Sequence, residues 1–101
     1  VGSIVSEAGK FVGQARIVNT RGLHARAAAT FVKLAENFRA QIVVTADGTD
    51  VPSRSVMGLL LLSVGPGTDI VIAATGEDAE NAVSELVALI EAGFNEDLGE
   101  V

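Results

Sequence analysis

QIVVTADGTDVP, residues 41–52, decides the fold class. Gln41 to Ala46 has the β-branched run IVVT at its centre, a composition that suits a strand and loses side-chain freedom in a helix. Asp47-Gly48 follows, a strong two-residue hairpin signal, because both residues tolerate positive φ. A short return strand then ends near Pro52, so the sheet contains at least one tight antiparallel pair.

Helical patterns lie on both sides of this hairpin. Upstream, Ala25 to about Asn37 is Ala-rich, with Ala28, Phe31, Val32 and Ala35 at the three- and four-residue spacing of one buried face. Before it, Val12 to Asn19 is expected to be a strand, with Ala15 and Ile17 on one side against Gln14 and Arg16; Thr20-Arg21-Gly22 breaks it. Downstream, Ser55 to Ser63 is a short apolar helix containing MGLLLL, with Ser53 or Ser55 placed to cap it. Gly65-Pro66-Gly67 is a turn, not a phosphate loop, since no lysine or helix start follows it. Thr68 to Thr75 is a strand in which Ile70, Ile72 and Ala74 alternate with their neighbours. The last helix opens with Gly76-Glu77-Asp78, acids suited to the positive end of its dipole. Its buried stripe is Ala79, Ala82, Val83, Leu86, Val87 and Ile90, and Gly93 is its expected stop.

The order β-α-β-β-α-β-α predicts an α+β domain with helices on one sheet face. Residues 1–11 read as a flexible N-terminal extension, 12–95 as the domain, and 96–101 as a frayed C-terminal tail. At 101 residues, 49% of them apolar, the chain supports one modest core, built from aliphatic residues around Phe11, Phe31, Phe38 and Phe94. Ala28, Val32, Ile42, Val44, Ile70, Ile72, Val83, Leu86 and Ile90 are its expected members.

Composition removes several function classes. There is no cysteine, which excludes disulfides and thiol chemistry. A single histidine argues against a His-rich zinc site, and no cofactor or metal is expected. No apolar run approaches the roughly 20 residues of a membrane span, and the N-terminal residues lack a signal-peptide layout, so a cytoplasmic location without membrane insertion is expected. The net charge of −6 is unevenly spread: residues 1–54 hold all seven basic residues and four acids, whereas 55–101 hold nine acids and no base. Nucleic-acid binding does not fit a chain this acidic without interleaved aromatics. The split suggests a mildly basic working surface around His24 and an acidic, solubilising face. Solvated helix charge explains the acidic half equally well, but not why the basic residues gather near His24.

His24 stands between a turn and a helix start. The first helical turn has unpartnered N–H groups and a partial positive charge, so it receives an anion readily. That field favours the neutral ring, whose free nitrogen lone pair can attack phosphorus near neutral pH. Arg26 can supply positive charge to phosphoryl oxygens, and Gly22 lets the backbone turn tightly. From position alone, a solvated capping histidine without chemistry stays open.

The residues also carry a resemblance. GLHARAAATFVKLA, 22–35, resembles the phosphorylation-site signature of HPr, the small carrier of the phosphoenolpyruvate-dependent phosphotransferase system. SRSVMGLLLL resembles that family's regulatory-serine block, and TDIVIAATGEDAENAVSELVALIEAGF resembles its C-terminal third. The resemblance implies an open-faced β-sandwich: a four-stranded antiparallel sheet of order 1-4-2-3 with three helices on one face. It implies that His24 accepts a phosphoryl group on Nδ1 from phosphorylated Enzyme I and passes it to an EIIA-type protein, as a carrier, not an enzyme. It also implies that Arg26 stabilises the phosphoryl group, that Ser55 is the serine modified by an HPr kinase/phosphorylase, and that the chain is a monomer. Ala27 stands where the family usually has proline, a replacement expected to cost about 0.4–1 kcal/mol in rigidity without touching the chemistry. The ending EAGFNED and the LLLL helix are similar to the family's nitrogen-related branch. Met57 and Leu59 to Leu62 serve helix packing and a partner-docking patch, while Ser53 reads as a cap or loop residue. On the residues alone, two other classes remain: a small-molecule-binding regulatory domain in which His24 contacts ligand, and an interaction module phosphorylated only on serine.

Overall fold

The protein is described by a computed structural model over residues 4–96. Residues 1–3 of the expected extension and 97–101 of the expected tail lie outside the described residues. The strands are β1 (Val5–Glu7), β2 (Lys10–Arg16), β3 (Gln41–Ala46), β4 (Thr49–Pro52) and β5 (Asp69–Thr75). The helices are α1 (Ala25–Ala35), α2 (Val56–Leu61) and α3 (Ala79–Glu91), followed by a 3-10 turn at Gly93–Asn95.

All strand pairs are antiparallel, in the order β1-β2-β5-β3-β4. Without β1 this is the expected four-stranded order 1-4-2-3, with three helices over one face. The alternation read in the sequence sets the two faces: Ile42, Val44, Ala46, Ile70, Ile72 and Ala74 are buried, while Gln41, Val43, Asp69 and Thr75 are exposed. All nine expected core residues are buried, and Phe31, Phe38 and Phe94 join them; Phe11 is only half-buried. The hairpin turn has Asp47 at φ 51° and Gly48 at φ 81°, as its sequence requires.

Helix α3 lies over β2 and β5, and Gly13 sets how closely. A Cβ there would stand 2.6 Å from Val83 Cγ1 and 3.1 Å from Val87 Cγ2, so a larger residue would push the helix off the sheet.

One expectation changes. Within the stretch 1–11, Val5–Glu7 form an added edge strand on β2, and β2 itself begins at Lys10, not Val12. The connecting turn places Ala8 at φ 52° and Gly9 at φ 79°. An alanine at a left-handed position hides this hairpin from a sequence reading, which looks for Asn or Gly there. At the start of α3, where the acids were expected to suit the dipole, Asp78 makes no side-chain cap. Its carboxylate turns away to accept the backbone N–H groups of Arg39 (2.9 Å) and Ala40 (2.8 Å) just before β3. Those two bonds, chiefly the one from Arg39, hold the Asp78 carboxyl below the usual carboxylate range.

Candidate functional site around His24

The turn that carries His24 is built from backbone bonds. Gly22 N–H donates to Asn19 O (3.1 Å), and Leu23 N–H donates to Val64 O (3.1 Å), tying the turn to the segment after α2. Gly22 has φ 65°, and a Cβ on it would lie 2.4 Å from Val64 O, so only glycine fits. Leu23 is buried, which anchors the turn and leaves the next side chain at the surface.

His24 is the N-cap of α1, with extended backbone (φ −83°, ψ −179°). Its O accepts from Ala28 N–H at 2.8 Å, the first bond of the helix. Its ring Nδ1 accepts from the backbone N–H of Arg26 at 3.3 Å, a long bond. The ring's other nitrogen, Nε2, is hydrogen-bonded to Glu96 Oε2. An ionised carboxylate only accepts, so Nε2 carries the hydrogen and Nδ1 keeps its lone pair. The side chain is 20% exposed, enough for one edge of the ring to meet solvent.

Glu96 reaches the ring because the chain reverses after α3. Phe94 (φ 58°) and Asn95 (φ 62°) are both left-handed, and Phe94 is buried beside α1. Burying that ring returns the next residues toward the start of α1. Glu96 Oε1 accepts from Asn19 Nδ2 at 3.0 Å, and the same Nδ2 donates to Gly22 O at 2.8 Å. Burial pushes the Glu96 carboxyl up, but hydrogen bonds from His24 and Asn19 and the charges of His24 and Arg21 outweigh it and hold it below the usual range.

The other expected residues separate. Arg26 lies in the first turn of α1 beside His24, its side chain exposed and without an ion pair among the described residues. Ser55 is the N-cap of α2, its Oγ accepting from Gly58 N–H at 2.8 Å. Met57 and Leu61 of α2 stand 66% and 74% exposed, whereas Leu59 is buried. Ser53 is buried, and its N–H donates to Ile42 O. No set of side chains that could hold a metal ion occurs among the described residues.

Two site residues escaped the sequence reading. Glu96, at the start of the expected tail, is a fixed member of the site, because buried Phe94 anchors the turn before it. Asn19 had a signal: it continues the inward register of Ala15 and Ile17, so a polar side chain was due on the buried face.

His24 thus caps α1 with Nδ1 at the helix start and Nε2 on Glu96. The family signature described as "PTS HPr component phosphorylation site" matches residues 12–92. The chain belongs to the HPr family. It is 39% identical to the phosphocarrier protein HPr of Cupriavidus necator over 79% of this chain and 90% of that one. It is also 39% identical to the phosphocarrier protein NPr of Shewanella violacea, covering 86% of this chain and 96% of the relative. Among solved structures, HPr-C-His from Thermoanaerobacter tengcongensis is similar at TM-score 0.81 and 42% identity, covering 86% of this chain and 98% of the other. As a member of the HPr family the chain is a phosphocarrier of the phosphotransferase system, a non-enzymatic carrier of phosphoryl groups. Among the described residues, no helix is long and apolar enough to cross a membrane.

Proposed function

We propose that His24 is the phosphoryl-bearing residue, that Enzyme I of the phosphotransferase system is the donor, and that an EIIA-type protein is the acceptor. The observation that carries this reading is the division of labour on the ring: Glu96 occupies Nε2, and Nδ1 faces the open end of α1. The Nδ1 lone pair attacks phosphorus, and the bond from phosphorus to the donor breaks with its electron pair leaving on the donor. The ring becomes positively charged, with Nε2–H still on Glu96, whose carboxylate stabilises that charge. In the return step the N–P bond breaks toward the acceptor, the pair goes back to Nδ1, and no proton has to move at Nε2. The first-turn N–H groups of α1 and the Arg26 guanidinium then neutralise the phosphoryl oxygens.

The protein acts as a monomer in the cytoplasm on this reading. The domain proper starts with β2 at Lys10, two residues before the expected bound of 12, and runs to about 95, with Val5–Glu7 an accessory edge strand and Glu96 an addition to the site. Ser55 is the regulatory serine. A phosphate on its Oγ sits at the start of α2, beside exposed Met57 and Leu61, and its charge would oppose docking of the donor on that apolar patch. The nitrogen-branch assignment is supported by the ending EAGFNED and by the length of chain shared with the NPr relative.

Mass spectrometry after incubation with phosphoenolpyruvate and Enzyme I tests the reading. One added phosphoryl group, acid-labile and base-stable, is expected on the wild type and none on His24→Ala. Phosphate persisting in that variant, the sole histidine being gone, would overturn it. Side-by-side transfer to sugar-branch and nitrogen-branch EIIA proteins identifies the output, and incubation with HPr kinase identifies or removes Ser55.

A further inference from the structure

We infer that Asn19 is a positioning residue for phosphoryl transfer: its side-chain amide holds Glu96 against His24 Nε2 and so fixes which ring nitrogen keeps the lone pair. This rests on His24 being the phosphoryl acceptor.

Asn19 is fully buried, at the end of the segment leading from β2 into the His24 turn. Its Nδ2 donates twice, to Gly22 O at 2.8 Å and to Glu96 Oε1 at 3.0 Å. Both partners can only accept, so the amide has one orientation, and Oδ1 is left buried with no hydrogen-bond partner among the described residues. A buried oxygen without a donor is destabilising, and bracing the turn requires only the bond to Gly22. The bond that the turn does not need is the one to Glu96, 77 residues away in the chain.

That second bond has a defined consequence at the ring. A carboxylate held through one oxygen swings freely about its own axis. With Oε1 anchored by Asn19, Oε2 has one direction left, toward His24 Nε2. The ring is then held from both sides, Nε2–H on Glu96 and Nδ1 under the Arg26 N–H. Releasing Asn19 leaves the Glu96 carboxylate with the ring as its one hydrogen-bond partner among the described residues, the backbone staying on Gly93 O. Aspartate at position 19 has nearly the shape of asparagine, but it replaces the two-hydrogen donor by an acceptor facing a carboxylate. That substitution keeps the packing, removes both donated bonds and sets a like charge against Glu96.

Nitrogen-15 spectra of the His24 ring, recorded on the full chain with the ring neutral, test the inference. The wild type is expected to be mainly the Nε2–H tautomer. Asn19→Ala, Asn19→Asp and Glu96→Ala should each lower the ratio of that tautomer to the other about fivefold, the worth of one hydrogen bond. The rate of phosphoryl acceptance should fall in parallel. In the Glu96→Ala background, Asn19→Ala should change the ratio no further. An unchanged ratio in folded Asn19→Ala, with only the melting temperature lowered, would make Asn19 a turn brace and overturn the inference. An equal further fall in the Glu96→Ala background would overturn it as well, since Asn19 would not be acting through Glu96. If the Asn19 variants do not fold, Glu96→Ala still decides: the Asn19 side-chain amide resonances shift if that amide is bonded to Glu96, and stay put if it is not. A wild type that takes no phosphate on His24 would sink the carrier reading, while the ring spectra would still answer for Asn19.

Discussion

Helices α1 and α2 both begin on a side-chain cap, and the two caps differ in what else holds the capping group. Ser55 Oγ meets Gly58 N–H at 2.8 Å, a short bond to the third residue of its own helix, and no other hydrogen bond to that oxygen is found among the described residues. His24 Nδ1 meets Arg26 N–H at 3.3 Å, and its ring is held from the far side by Glu96, 72 residues away. A tight local cap stabilises a helix start. A loose cap on a ring fixed from elsewhere leaves the lone pair close to its resting direction yet easy to take. α3 supplies the contrast: Asp78 stands at its start without capping it and clamps Arg39 and Ala40 instead. The residue type at a helix start thus does not fix its task; the partners beyond the helix do.

The comparison breaks most sharply at the capping residues themselves. His24→Ala should abolish phosphoryl incorporation and lower stability by about 1–3 kcal/mol, since it removes both the long cap bond and the ring's bond to ionised Glu96. Mass spectrometry and a thermal melt on the same sample read both numbers. Arg26→Ala should slow transfer about tenfold to a hundredfold, the worth of one charged hydrogen bond, with the melt unchanged. Transfer rates equal to wild type would remove the guanidinium from the site.

Ser55→Asp should slow donation by Enzyme I on the order of tenfold by placing charge beside exposed Met57 and Leu61. Its melting temperature should stay close to wild type, since aspartate caps as well as serine. Ser55→Ala should do the reverse, losing about 1 kcal/mol of stability with transfer intact. Equal donation rates in all three forms would leave Ser55 as a helix cap alone.

Acid sharpens the non-local side of the comparison. The folded Glu96 carboxyl lies below its ordinary value of about 4.5. The stability it contributes is therefore fully present above that value and is lost as pH falls through the lower folded value. Below that point Glu96 is protonated and its bonds to His24 and Asn19 weaken. Amide exchange around Phe94–Glu96 should accelerate there, and Glu96→Gln should remove the acid dependence. The α2 cap, a neutral hydroxyl, should not respond. The smallest effect belongs to Ala27→Pro. Ala27 is the third residue of α1, ahead of the first intrahelical bond from Ala28, so proline removes no helix bond. Stability should rise slightly, by at most about 1 kcal/mol and read as a higher melting temperature, with transfer intact. A destabilised variant would mean that the buried Ala27 position has no room for the ring.

The sequence by itself determined the features governed within one turn of helix or one pair of strand residues. The inward alternation of Ile42 and Val44 and of Ile70 and Ile72, the Asp47-Gly48 hairpin, a serine cap on α2 (Ser53 or Ser55, the structure choosing Ser55) and the placement of His24 at the start of α1 all follow from neighbours a few residues apart. Local sterics and hydrogen bonding write such features directly into the chain. The strand order needed the family resemblance, because local patterns do not say which strands become neighbours. Only the tertiary structure decided the state of the His24 ring. Glu96 carries no local mark of its role, and it joins the site because burial of Phe94 and three left-handed residues, Gly93 to Asn95, turn the end of α3 back onto α1. Asn19 falls in the inward register of Ala15 and Ile17, a signal the sequence reading missed, and its partner has no such signal. A hydrogen bond across 72 or 77 residues exists only once the core between them has formed, and nothing within a turn of either residue encodes it.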